Sequence, residues 1–172
     1  MEISIIGKKS IRIKGRLATF IVDPIEEMPK TSANAIILLN GTDNIDTGRV
    51  TDSRLLINGE GEYEVNGAKI SGTTTSNGVI YRLLVDDVSI IIGRMSEAKT
   101  EGFNTCQIAI VNTDSDFSEL FVTTLEPKIT VLYGDKKIEV AKTLGLENVT
   151  LVPKITTTKD KLPEKMEVVI LN

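Results

Sequence analysis

The stretch Ile57–Gly72, INGEGEYEVNGAKISG, decides how this chain is read. Three short segments, RLLING, EYEVNG and AKISG, follow one another with glycine punctuation, as strands in a meander do. VNG places Asn66 and Gly67 where a two-residue hairpin turn belongs. Glu60, Glu62 and Glu64 are spaced by two, so they share one strand face, which reads as a solvated face. Gly59 and Gly61 do not form a phosphate loop, because no helix and no lysine follow them.

The same pattern extends in both directions. EISIIG and SIRIKG alternate: Ile3, Ile5, Ile11 and Ile13 point inward, and Ser4, Arg12 and Lys14 are expected to face solvent. RLATFIVDP stops at Pro24, and NAIILLNG is a continuous apolar run, as expected of a strand covered on both faces. VIYRLLVDD and VSIIIG make a second hairpin around Asp86 and Asp87. After CQIAIVN the character changes. DSDFSELFVTTLEP sets Phe117, Leu120, Phe121 and Leu125 at helical spacing, with Asp114 or Ser115 as the N-cap and Pro127 as the stop. KITVLYG is a strand, and DKKIEVAKTLG is a helix with Ile138, Ala141 and Leu144 on one face and Gly145 as its C-terminal cap. NVTLVP and MEVVILN read as closing strands, and the polar KITTTKDKLPEK between them as mobile. The order is many antiparallel strands, then strand–helix–strand–helix–strand. It fits two packed sheets with helices outside, in a single domain over residues 1–172.

Composition narrows the function. With 172 residues, 41% apolar and 26% charged, the chain has the balance of a soluble globular protein. A net charge of −4 and the lack of a basic stripe argue against nucleic acid. No apolar run approaches the roughly 20 residues of a membrane span. The N-terminus lacks signal-peptide features, so a cytoplasmic protein is expected. Cys106, the one cysteine, lies in an apolar run and reads as a buried hydrophobe. The most informative count is histidine, which is zero. Serine–histidine and cysteine–histidine catalysis are thereby excluded, and an ordinary zinc site cannot be built from this chain.

INGEGEYEVNGAKISG resembles a signature of the metallo-β-lactamase-fold hydrolases, in particular the predicted zinc-dependent hydrolases related to ascorbate-6-phosphate lactonases. MEISIIGKKSIRIKGRLATFIVDP is similar to that group's opening, EPKITVLYGD to its late strand, and LGLENVTLVPKITTTKDKLPEKMEVVILN to its tail. The resemblance implies an α+β fold, a four-layer αββα sandwich that is trimmed and strand-rich. It also implies where a metal site would open. Against the family's histidine-rich loop stands NGTDNID, with Gly41 and Asp43 at the first two histidine positions, Ile45 at the aspartate and Asp46 at the last histidine. A Gly-His becomes Gly7-Lys8, the bridging aspartate becomes Arg94, and the final histidine becomes Gly134, flanked by Tyr133 and Asp135. The loop between hairpins is cut down to TTTSNG.

The expectation is a catalytically inactive, metal-free member of this fold with no cofactor and no catalytic residue. Its former pocket is lined by Lys8, Gly41, Asp43, Asp46, Arg94, Tyr133, Gly134 and Asp135, and it serves binding or assembly through a homo-oligomer or a protein partner. Arg94 is expected to pair with Asp43 or Asp46 and plug the pocket. Two alternatives stay open. One is a hydrolase using Asp43 and Asp46 with a hard metal on a phosphorylated or lactone substrate. The other is a sensor gripping a small anionic ligand with Arg94 and Lys8.

Overall fold

The computed structural model describes residues 1–40, 42–96, 103–146 and 151–172. Its strands are β1 (Glu2–Ile6), β2 (Ser10–Lys14), β3 (Thr19–Val22), β4 (Thr31–Ser32), β5 (Ala35–Ile37), β6 (Val50–Thr51), β7 (Leu55–Ile57) and β8 (Gly61–Val65). They continue with β9 (Ala68–Thr75), β10 (Gly78–Val85), β11 (Val88–Gly93), β12 (Ile108–Asn112), β13 (Ile129–Tyr133), β14 (Leu151–Val152), β15 (Lys154–Thr156) and β16 (Glu167–Leu171). Helix α1 spans Glu119–Thr124 and α2 spans Lys137–Thr143.

Two sheets hold the strands. One is ordered β15-β1-β2-β3-β5-β7 and the other β14-β16-β13-β12-β11-β10-β9-β8; β4 and β6 pair separately. The hairpins form where two adjacent residues tolerate a left-handed backbone. Asn66 and Gly67 have φ of 48° and 81°, and Asp86 and Asp87 have 51° and 63°, the condition for the tight turn that matches strand twist. Each sheet is also partly parallel. β3, β5 and β7 run parallel to one another, as do β11, β12, β13 and β16. The parallel strands β12 and β13 are buried along their whole length, the pattern of strands covered on both faces.

The main core lies between the sheets. Ile3, Ile11, Ile13, Phe20 and Val22 from one sheet meet Tyr81, Leu83, Ile90, Ile108 and Ile110 from the other. Aliphatic residues dominate it, so truncating one large member such as Phe20 to alanine costs about 3–5 kcal/mol. A second cluster packs Phe121, Val122, Val140 and Ala141 of the two helices against Ile91, Val111 and Leu132. A third covers the far face of the first sheet with Ile25, Met28, Ala33 and Val50, which lie in irregular chain or short strands. Among the described residues, regular helices cover one sheet only, and irregular chain with short strands covers the other.

Several local expectations are corrected. NAIILLNG is a strand only over Ala35–Ile37. The N-cap of α1 is Ser118, whose side chain accepts from the Phe121 N–H, not Asp114 or Ser115. In α2 the buried pair is Val140 and Ala141, and Ile138 is exposed. Ser4 is buried, flanked in register by Arg12 and Lys154, whose long stems cover it. The segment read as mobile supplies β15, which extends the first sheet by pairing with β1.

Candidate functional site

The site is built from the ends of β1, β3, β5, β11 and β13 and the chain that follows each. Asp23 leaves β3 with φ +46° and is buried, and Ser10 holds that bend by donating to the Asp23 carbonyl at 2.8 Å and accepting from the Ile25 N–H at 3.2 Å. The Asp23 carboxylate accepts from the Leu39 N–H at 2.8 Å and from the Thr42 hydroxyl at 2.6 Å. Burial pushes its carboxyl above the ordinary value of 3.8, against the pull of these two hydrogen bonds and the nearby charge of Arg94.

Arg94 follows β11 and is 7% exposed. Its guanidinium donates to the Asn40 carbonyl and, at 2.7 Å, to the Thr42 hydroxyl. The expected ion pair with Asp43 or Asp46 is not formed. Among the described residues, no carboxylate lies within 4.0 Å of Arg94. Asp46 instead caps the turn at Gly48 and pairs with Arg49 at 3.2 Å. Short-range turn geometry claims Asp46 before the distant arginine can.

Beside this network lies a second one. Lys9 reaches Asp135 at 2.7 Å and Asp114 at 3.2 Å, and Asp114 also accepts from the Asp135 N–H at 2.7 Å. The Asp135 hydrogen bond raises the Lys9 pKa above its ordinary value, with Asp114 helping and partial burial opposing. Gly134 makes this possible. It has φ +106°, and a Cβ there would lie 2.7 Å from Asp114 Oδ1 and 3.0 Å from Thr113 Oγ1. The Tyr133 hydroxyl is buried beside Asn112 and, among the described residues, has no hydrogen-bond partner of good geometry; burial pushes its phenol well above the ordinary range.

Between the two networks opens a cleft of about 450 Å³. Of the residues singled out from sequence, Lys8, Asp43, Arg94 and Asp135 line it, whereas Asp46, Tyr133 and Gly134 do not. Gly41 lies outside the described residues. Sequence reasoning placed Lys9 beside Lys8 at this cleft, where it does lie, but missed Thr42 and Asp114, which also line it, and Asp23 behind Thr42. An aspartate at a strand end before proline, in IVDP, was the available signal for Asp23. On the far side of Arg94, the trimmed loop residues Ser76, Asn77 and Gly78 close against Asn40.

No family model and no curated protein matches the chain by sequence. Solved structures do match its fold. A protein of Thermotoga maritima assigned to the zinc-dependent hydrolases of the metallo-β-lactamase superfamily superposes with TM-score 0.78 at 16% identity, over 99% of this chain and 97% of that one. An isothiocyanate hydrolase from Delia radicum gut bacteria gives TM-score 0.61 at 12% identity, over 92% of this chain and 99% of that one. A diphosphatase of the PhnP family gives 0.52 at 12% identity, over 93% and 80%. The fold is thus that of the metallo-β-lactamase superfamily. The expectation that the chain is not an enzyme is corrected: of these fold neighbours, two are described as hydrolases and one as a diphosphatase.

The zinc named for the Thermotoga protein does not fit the residues present here. There is no histidine to supply imidazole, and Cys106 is buried among Ala109, Phe121 and their neighbours. Among the described residues, no group of three or more His, Cys, Asp or Glu is placed to hold a metal ion. A guanidinium already occupies the Thr42 side of the cleft. The unpartnered Tyr133 hydroxyl is one oxygen that stays protonated, a poor ligand. Among the described residues, no helix is long and apolar enough to cross a membrane.

Proposed function

We propose that this chain is a hydrolase of small, anionic substrates and that its reaction centre is the Arg94 cleft. One observation carries the reading. A buried guanidinium without a carboxylate partner among the described residues lines an open polar cleft. A cation held out of water without a direct ion pair favours negative charge that arrives or develops beside it, although Asp23 lies behind Thr42 and Glu27 and Asp43 share the cleft. Lys8, exposed at the same cleft, adds a second positive charge, whereas Lys9 is committed to Asp114 and Asp135. The hydrolytic class is supported by the fold neighbours, and the histidine-free donor set supports a reaction that needs no zinc.

The test is a hydrolysis screen over carboxylate-bearing and phosphate-bearing esters, run with and without EDTA, beside thermal unfolding with succinate or phosphate added. The expected result is turnover unaffected by the chelator, and an anion-dependent rise in Tm that disappears in Arg94→Ala. Turnover that collapses on chelation and returns with Zn²⁺, or a Tm indifferent to every anion, would overturn it.

A further inference from the structure

We propose that Thr42 is the nucleophile of this cleft, with Asp23 as its general base and Arg94 as the cation facing the developing oxyanion, in acyl transfer from small carboxylic esters that carry a negative charge, such as a free carboxylate, elsewhere in the molecule. The proposal rests on the hydrolase reading of the cleft and goes beyond it by naming the reacting atoms and the substrate class.

The geometry is that of an activated hydroxyl. A nucleophile needs a base within hydrogen-bond reach, and the base needs a third group to orient it. Thr42 Oγ1 lies 2.6 Å from Asp23 Oδ2, and the Leu39 N–H fixes the other carboxylate oxygen at 2.8 Å. Thr42 lines the cleft, whereas Asp23 sits behind it at 2% exposure, so the hydroxyl meets the substrate first. The Arg94 guanidinium, 2.7 Å from the same hydroxyl, favours loss of its proton. Phosphoryl transfer fits less well. It relies on metal ions to offset charge on several oxygens, and among the described residues of the cleft only Arg94 and Lys8 are cations with no ion pair to a carboxylate. Acyl transfer develops a single oxyanion, which one guanidinium can face.

The steps balance. The Thr42 hydroxyl proton passes to Asp23 as Oγ1 bonds to the ester carbonyl carbon, and the carbonyl oxygen becomes an oxyanion beside Arg94. Collapse breaks the bond to the alcohol oxygen, which leaves with the proton from Asp23 and gives an acyl-threonine ester. Water then gives a proton to Asp23 while adding to the acyl carbon. Collapse releases the acid, and Oγ1 recovers its proton from Asp23. One ester and one water become one acid and one alcohol. Lys8, which lines the same cleft, would meet the substrate's own negative charge.

The experiment uses p-nitrophenyl hemisuccinate with the full chain and with Thr42→Val and Thr42→Ser, following p-nitrophenol release and acid-quenched mass spectra. The expected result is hydrolysis that falls on the order of 10²-fold or more in Thr42→Val, largely returns in Thr42→Ser, and leaves a succinyl group on the Thr42 peptide. A structural role for Thr42 would lower Tm in the valine variant without moving the acyl group. Hydrolysis unchanged in Thr42→Val, succinyl groups only on lysines, or no hydrolysis by the unaltered chain would overturn the nucleophile. Succinate-dependent stabilisation lost in Arg94→Ala is read separately, so the cleft reading stands or falls on its own measurement.

Discussion

The Thr42 hydroxyl donates a 2.6 Å hydrogen bond to Asp23, joining a residue at the cleft to a buried acid at the end of β3. The bond ties the loop after β5 to the bend after β3, and Arg94 completes it from β11. Three separate parts of the chain thus meet at one hydroxyl.

The protonation of Asp23 follows. Its folded pKa is raised above 3.8 by burial. Just above pH 3.8 the folded chain therefore holds more of this proton than the unfolded chain does. Ionised Asp23 lowers stability at neutral pH, and that penalty fades as pH falls through the folded pKa. Asp23→Asn removes the penalty. Its Tm relative to the unaltered chain should be higher at pH 7 than at pH 4. Hydrolysis should show an acid limb set by Asp23, moved upward from the ordinary value of 3.8, that is absent from the residual rate of the asparagine variant. Parallel Tm curves for the two proteins across that range would contradict this.

Arg94→Ala removes the donors on the Asn40 carbonyl and the Thr42 hydroxyl. Leaving part-buried acceptors unmet costs about 1–3 kcal/mol. Arg94→Lys keeps the charge but not two fixed prongs, so it should recover part of the anion-dependent Tm shift and little of the stability. Denaturant melts with and without phosphate separate the two effects.

Gly134→Ala should destabilise the chain by about 1–3 kcal/mol, because φ +106° is costly for any residue with a Cβ. The new methyl would also displace Asp114 and loosen its contact with Lys9. Equilibrium unfolding in urea measures the loss, and an unchanged midpoint would show that the strand end relaxes freely.

Glu2 ties three strands together, meeting Arg12 on β2 and Lys154 on β15, each at 2.8 Å. The Lys154 hydrogen bond, joined by Arg12, holds its carboxyl below the ordinary value of 4.5 against an opposing desolvation. This stability is present above pH 4.5 and is lost as pH falls through the lowered folded pKa. The pairs are partly solvated, so Glu2→Gln should cost at most about 1 kcal/mol at pH 7 and low salt. The difference should shrink in 1 M NaCl and at low pH, and a gap that salt leaves untouched would point to packing instead.

The hairpins were legible because their information is local: Asn66-Gly67 and Asp86-Asp87 dictate a turn wherever they stand. The buried strands were legible from their unbroken apolar runs. β15 was not, because Lys154, Ile155 and Thr156 become a strand only by meeting β1 more than 150 residues away. The place of the cleft was readable through Arg94 and Asp43, but its working contacts were not. Spacing cannot say that Arg94 bends toward Thr42 rather than an acid, nor that Asp23 is the acid behind that hydroxyl. The reading of lost histidines as lost function failed for a related reason. It counted missing ligands and had no view of the groups gathered in their place.

Gly134 also sets what a new ligand at this position would cost. A histidine there would put a side chain where Asp114 now sits, on a backbone that resists any Cβ. Such a mutant would lose the Lys9 knot before it gained a ligand, and among the described residues it would still lack the rest of a metal shell.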